Sequence, residues 1–154
     1  MSVNVVLHEP EIPQNTGNIA RTCVVTNSML HVIKPMGFSL DEKHIRRAGL
    51  DYWHTLDISY FDSLEELQAR YPRSRFFYAS THARNRYTDT AFSDGDFLVF
   101  GKETAGLPKE LLQKNADHAI RIPMGENQRS LNLSNSVAIV LYEALRQNNF
   151  LDLH

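Results

Sequence analysis

The side chains that could do chemistry fall in a few polar stretches. In Asn15–Arg21, NTGNIAR, the residues Asn18 and Arg21 lie three apart, so on a helix they share a face. Gly17, one turn before Arg21, leaves space beside it. Glycine in a first helical turn costs stability, which suggests the close approach of something else. Lys43, Arg46 and Arg47 form one basic cluster, and Arg70, Arg73, Arg75, Arg84 and Arg86 fall close together further on. Such clusters are solvated surface or phosphate contacts. Tyr52 and Trp53 follow the first cluster and could stack on bases or simply pack. Pro123–Ser130 is a polar turn with Pro, Gly and Asn that runs straight into a helical pattern. Backbone donors ending at a helix start suit a small polar ligand.

Other chemistries are excluded by pattern. There is no G-x-x-x-x-G-K-[ST], because the GKET stretch lacks the preceding glycine spacing, and no G-x-G-x-x-G or G-x-S-x-G. The seven histidines include no i, i+4 pair and no cysteine at ligand spacing, so no metal site is expected. Cys23 lies on an apolar helix stripe, which favours a buried, inert thiol. As a lone cysteine it forms no internal disulfide and suits a reducing compartment. The opening MSVNVVLHEP has no basic segment and is not read as a signal peptide, and the longest apolar run, Val137–Tyr142, is too short to span a membrane. A cytoplasmic protein is expected. The net charge of −2 makes the whole molecule no obvious nucleic-acid binder, whatever its local clusters do.

The elements that must position these residues alternate in type. Strands are expected at Val3–Leu7, Leu30–Ile33, Leu56–Phe61, Arg75–Ala79, Asp96–Phe100 and 118–122. Helices are expected from a cap at Asn15 or Thr16 to about Asn27, over 41–48, from Asp62 or Ser63 to Arg70, from Pro108 to Asn115, and from Asn132 to about Asn148. Ser80–Asp94 reads as a loop. In the last helix Leu133, Val137, Val140, Leu141 and Ala144 make one apolar stripe. Ile139 and Tyr142 lie off it, so that helix is apolar on more than one face and should be covered twice. At 154 residues, 42% of them hydrophobic, the chain is read as a single domain over 1–154. The fold class is α/β, with a mostly parallel sheet flanked by helices. In such a sheet ligands bind beyond the C-terminal strand ends. The loops leaving there are Ala79–Thr81, Gly101–Gly106 and Pro123–Leu131.

Three of these stretches together carry a resemblance. NTGNIAR at 15–21, FGKETAGLP at 100–108, and IRIPM at 120–124 with SLNLSNSVAIVLYE at 130–143 resemble the three motifs of the SPOUT superfamily of RNA methyltransferases. Within it the chain resembles the ribose 2′-O branch, and in particular the subfamily that acts on the wobble cytidine or uridine of tRNA. The resemblance runs over essentially the whole chain, and no appended domain is expected.

The resemblance implies a C-terminal trefoil knot and S-adenosylmethionine as cofactor, bound without metal. Ala79, Ser80, Gly101, Glu103, Ile122, Met124, Ser130 and Leu131 would line the cofactor site, Glu103 in a partly architectural role. Arg21 would be catalytic, either easing deprotonation of the ribose hydroxyl or clamping the adjacent phosphate. Asn15, Asn18, Arg46, Arg47 and Asn132 would face the RNA substrate, a tRNA, and the enzyme would be a homodimer with shared active sites and no membrane partner. Two other readings stay open: methylation of another tRNA position or of ribosomal RNA, and a catalytically idle RNA-binding module on the same fold.

Overall fold

The computed structural model describes residues 2–39 and 53–154. Seven strands form one sheet: β1 (Asn4–His8), β2 (Met29–Ile33), β3 (Ile58–Phe61), β4 (Phe76–Ala79), β5 (Asn85–Arg86), β6 (Phe97–Phe100) and β7 (Ala119–Arg121), in the order β3-β2-β1-β6-β4-β7-β5. Every pairing is parallel. The helices are α1 (Pro13–Val25), α2 (Leu64–Arg70), α3 (Lys109–Lys114) and α4 (Leu133–Gln147). The expected α/β class holds, and the sheet is wholly rather than mostly parallel. The expected helix over 41–48 lies outside the described residues.

Alternation along the strands explains the layering. Val5 and Leu7 of β1, Leu30 and Val32 of β2, and Leu98 and Phe100 of β6 point to one face. There they meet Ile19, Ala20 and Cys23 of α1 and Val137, Val140, Leu141 and Ala144 of α4. Val6, Ile33, Phe97 and Val99 point to the other face, where Leu64 and Leu67 of α2 and Leu111 and Leu112 of α3 cover them. Burial on both faces is why the strands read as apolar runs instead of alternating patterns. Trp53 packs against the first of these cores. Tyr52 lies outside the described residues.

Two differences from the sequence reading have a clear physical reason. Asn15 and Thr16 do not cap α1. The helix starts at Pro13, as suits proline in a first turn, and both residues are buried inside it. The expected loop Ser80–Asp94 contains β5, a two-residue edge strand too short to show a pattern. By contrast, α2 is capped as expected, with Ser63 Oγ accepting from the Glu66 amide at 3.1 Å.

A buried histidine makes the core sensitive to acid. His31 of β2 is fully buried, its ring 5.2 Å from Phe97 and its Nε2 3.0 Å from Asn4 Oδ1. Burial pushes its pKa down to about 4. The folded chain therefore holds the neutral ring while the unfolded chain takes a proton below about pH 6.5. Stability from this group is complete above that pH and is lost as the pH falls towards 4. Chemical denaturation at pH 7 and pH 5 should show a drop about 2 kcal/mol smaller in His31→Phe than in the wild type. Equal drops would remove His31 as the cause.

Candidate active site

All strands run the same way, so β1, β4, β6 and β7 deliver their following loops to one edge of the sheet. A cavity of about 630 Å³ opens there. Its walls are the loops after β4, β6 and β7, the start of α1 and the first turns of α4.

The loop after β6 is a tight return. Lys102 and Gly106 form an antiparallel bridge, with the Gly106 amide donating to the Lys102 carbonyl at 2.9 Å. Gly106 sits at φ +70°, a left-handed conformation that glycine adopts freely. The returning backbone presses on Gly101, where a Cβ would lie 2.1 Å from the Gly106 carbonyl carbon. The position is closed to a side chain by the protein's own backbone before any ligand arrives.

The same loop anchors α1. Glu103 Oε1 accepts from the Glu11 amide at 2.9 Å, and Oε2 accepts from the Ile12 amide at 2.7 Å and from Asn15 Nδ2 at 3.2 Å. α1 has no side-chain cap of its own, so a carboxylate from a loop 88 residues away in sequence from Asn15 does that work. Glu11 answers in the other direction. Its carboxylate accepts from the Thr104 hydroxyl at 2.7 Å and the Thr104 amide at 3.0 Å, which hold it below its ordinary pKa. Asn15 Oδ1 then accepts from Asn132 Nδ2 at 3.0 Å. Asn132 in turn caps α4, its Oδ1 accepting from the Ser134 and Asn135 amides at 2.9 and 3.3 Å. One hydrogen-bonded chain, Glu103–Asn15–Asn132, thus ties together the three separated motifs.

Of the residues expected in the cofactor site, all eight line the cavity: Ala79, Ser80, Gly101, Glu103, Ile122, Met124, Ser130 and Leu131. Glu103 and Asn132 do so with their polar atoms already engaged in holding α1 and α4. Asn15 also lines it. Asn18 and Arg21 do not. They stand on the exposed face of α1, Arg21 roughly 9 Å further along the helix axis than Asn15. Arg46 and Arg47 lie outside the described residues. Two arginines of the second cluster are exposed, as expected, but hold carboxylates: Arg75 pairs with buried Asp96 at 2.6 Å, and Arg86 with Asp89 at 3.1 Å. Sequence reasoning missed Ile12, Lys102 and Arg129 as cavity residues. Lys102 and Arg129 sit in loops already singled out, so a cation in such a loop was the available signal. Ile12 gave none.

The lining suits a small molecule with a flat apolar part and polar ends. Ile122 and Met124 are half-buried, and Leu131 exposes 38% of its surface towards solvent. Serine hydroxyls and the backbone of three loops supply directional polar groups, and the volume is in the range of small-ligand sites.

Comparison with known proteins agrees with this arrangement. The model of the SpoU rRNA methylase family matches residues 2–142. A protein of Bacillus subtilis (strain 168) named "Putative tRNA (cytidine(34)-2'-O)-methyltransferase" is 53% identical over 99% of this chain and 98% of its own length. A solved structure described as "Structural insights into the 2-OH methylation of C/U34 on tRNA" superposes with a TM-score of 0.89 at 41% identity, covering 96% of this chain and 97% of that one. The methyltransferase AviRb of Streptomyces viridochromogenes, solved in complex with the cofactor AdoMet, gives a TM-score of 0.82 at 26% identity over 96% of this chain and 61% of its own. Matched by the family model over nearly its whole length, the chain belongs to the SpoU rRNA methylase family.

Proposed function

We propose that this chain transfers a methyl group from S-adenosylmethionine to the ribose 2′-hydroxyl of the wobble cytidine or uridine in tRNA anticodon loops. The observation that carries this reading is the full-length similarity to proteins named for that reaction. The three-loop cavity supports it.

When bound, S-adenosylmethionine supplies an already activated methyl group on a sulfonium centre. The chain's own residues do the rest. Ala79, Ile122, Met124 and Leu131 give the apolar surface for the base of the cofactor, while Ser80, Ser130 and the backbone at Gly101 give its polar contacts. Glu103, Asn15 and Asn132 fix the loops and α1 relative to one another. The ribose hydroxyl must be held in line with the methyl and relieved of its proton. Arg21 serves that end. Its guanidinium stays protonated, so it acts by stabilising charge or by clamping the neighbouring phosphate.

Arg21 does not line the cavity of its own chain. This supports a homodimer in which α1 of one subunit brings Arg21 to the cavity of the other. Val25 on α1 and Tyr142 on α4 are 59% and 42% exposed, and the two helices pack on the same sheet face, an apolar surface suited to a second copy. A trefoil knot through the C-terminal loops, a cytoplasmic location, and RNA contacts from Asn18, Arg46 and Arg47 complete the reading. Among the described residues no helix is long and apolar enough to cross a membrane.

Mass spectrometry of tRNA nucleosides tests the proposal. A strain lacking the protein should lose 2′-O-methylation at the wobble nucleotide and nowhere else. Loss at another tRNA position, or only in ribosomal RNA, would replace the substrate named here.

A further inference from the structure

Beside the first cavity lies a second, of about 850 Å³; the two share Ser80, His82, Leu107, Leu112 and part of the loop Lys102–Gly106. Its lining joins segments far apart in sequence: His8 at the end of β1, Arg84 after β4, Lys102 after β6 and Lys109 at the start of α3. Glu9 is the only carboxylate among the lining residues, and Lys102 neutralises it at 3.3 Å. Arg84 and Lys109 are exposed and form no ion pair among the described residues. Elsewhere Lys34, Arg75, Arg86 and Arg146 each hold a carboxylate. His8 is buried at this cavity; its Nδ1 makes no hydrogen bond and lies 3.6 Å from Glu9 Oε2. A chain of net charge −2 therefore gathers two unsatisfied cations in one hollow.

We propose that this second cavity is a phosphate subsite for the RNA backbone, in which Arg84 and Lys109 hold a phosphodiester close to the target nucleotide. The inference rests on the RNA-methylating function proposed above. The chemistry fits. Fixed cations over a hollow attract a polyanion, and Arg84 can offer two parallel N–H donors to one phosphate. Contacts of this kind set the register of the RNA without reading its bases. The loop that borders the cofactor cavity also borders this one, with Lys102 lining both, so a phosphate held here would lie close to the cofactor.

The test uses the full chain with alanine at both 84 and 109, written Arg84→Ala/Lys109→Ala. Neither residue lines the first cavity, so calorimetry should give unchanged affinity for S-adenosylmethionine, which also reports an intact fold. Affinity for tRNA should fall on the order of tenfold, and the dependence of log K on log salt should flatten by about 1.4–1.8, the counterions released by two contacts. Arg70→Ala/Arg73→Ala is the charge control. Both arginines are exposed and lie at the opposite edge of the sheet, before β4 begins, so tRNA affinity should hold. Unchanged tRNA affinity and salt dependence in the 84/109 variant, or an equal loss in the control, would overturn the subsite while leaving the methyltransferase reading standing. A wild-type chain that does not bind tRNA would overturn both.

Discussion

Arg21→Ala is expected to leave the fold and the cofactor affinity intact and to lower methyl transfer by on the order of a hundredfold or more. Arg21 is exposed, on the opposite side of α1 from buried Ile19, Ala20 and Cys23. Truncating it opens no core cavity, and a surface change of this kind costs within about 0.5 kcal/mol. Cofactor affinity should hold because Arg21 does not line the cavity of its own chain and, in the proposed dimer, would act on the RNA and not on the cofactor. What the proposed role would lose is a fixed positive charge at the ribose–phosphate. Arg21→Lys separates the two roles: lysine restores the charge without the planar fork. Good rescue means that charge suffices, whereas poor rescue means that the fork clamps a phosphate. The proposed shared-site dimer adds a stricter check. Co-expressed with a chain disabled at Gly101, Arg21→Ala should regain activity, because one of the two composite sites then has both an intact cavity and an intact Arg21. Full turnover by Arg21→Ala alone, at saturating cofactor and tRNA, would leave Arg21 an ordinary surface residue.

Gly101→Val is expected to weaken cofactor binding through the protein's own backbone. The added Cβ would lie 2.1 Å from the Gly106 carbonyl carbon and 2.2 Å from the Leu107 nitrogen. Neither is a side-chain tip that can swing aside, so the return of the loop has to open. Forced overpacking costs at least about 1–3 kcal/mol. The same displacement moves Glu103 off the start of α1. Affinity for S-adenosylmethionine should therefore fall by on the order of tenfold or more. Gly125→Ala is the matched control. A Cβ there meets only Gln128 Cγ at 4.0 Å, so binding should be unchanged. Calorimetry on both variants decides the matter. Unchanged affinity in Gly101→Val would mean that the loop yields at no cost.

The sequence made the strand and helix alternation legible because both faces of the sheet are buried, which turns strands such as FLVF at 97–100 into plain apolar runs. It located α4 through its regular apolar stripe, but not the cap: Asn132, read there as facing the RNA, accepts from the amides two and three residues ahead. It misplaced the cap of α1 as well. The capping group is Glu103, brought there by the fold, and no local pattern around residues 10–16 announces it. β5 was hidden because two edge residues carry no periodicity. The cavity residues were named through the family resemblance, but the reason for Gly101 was not, since a contact between residues five and six apart in a returning loop is invisible until the turn is built. The basic cluster 70–86 divided only in three dimensions: Arg75 and Arg86 are held by Asp96 and Asp89, whereas Arg84 faces a cavity.

The most direct measurement is methyl transfer by the purified chain. The chain is given S-adenosylmethionine labelled in the methyl group and two otherwise identical tRNAs, one with a normal wobble ribose and one with 2′-deoxyribose at that nucleotide. Nuclease digestion then maps the label. The account expects label on the wobble ribose of the first tRNA and none on the second. Label on a base, label at another position, or equal label in the 2′-deoxy tRNA would contradict it.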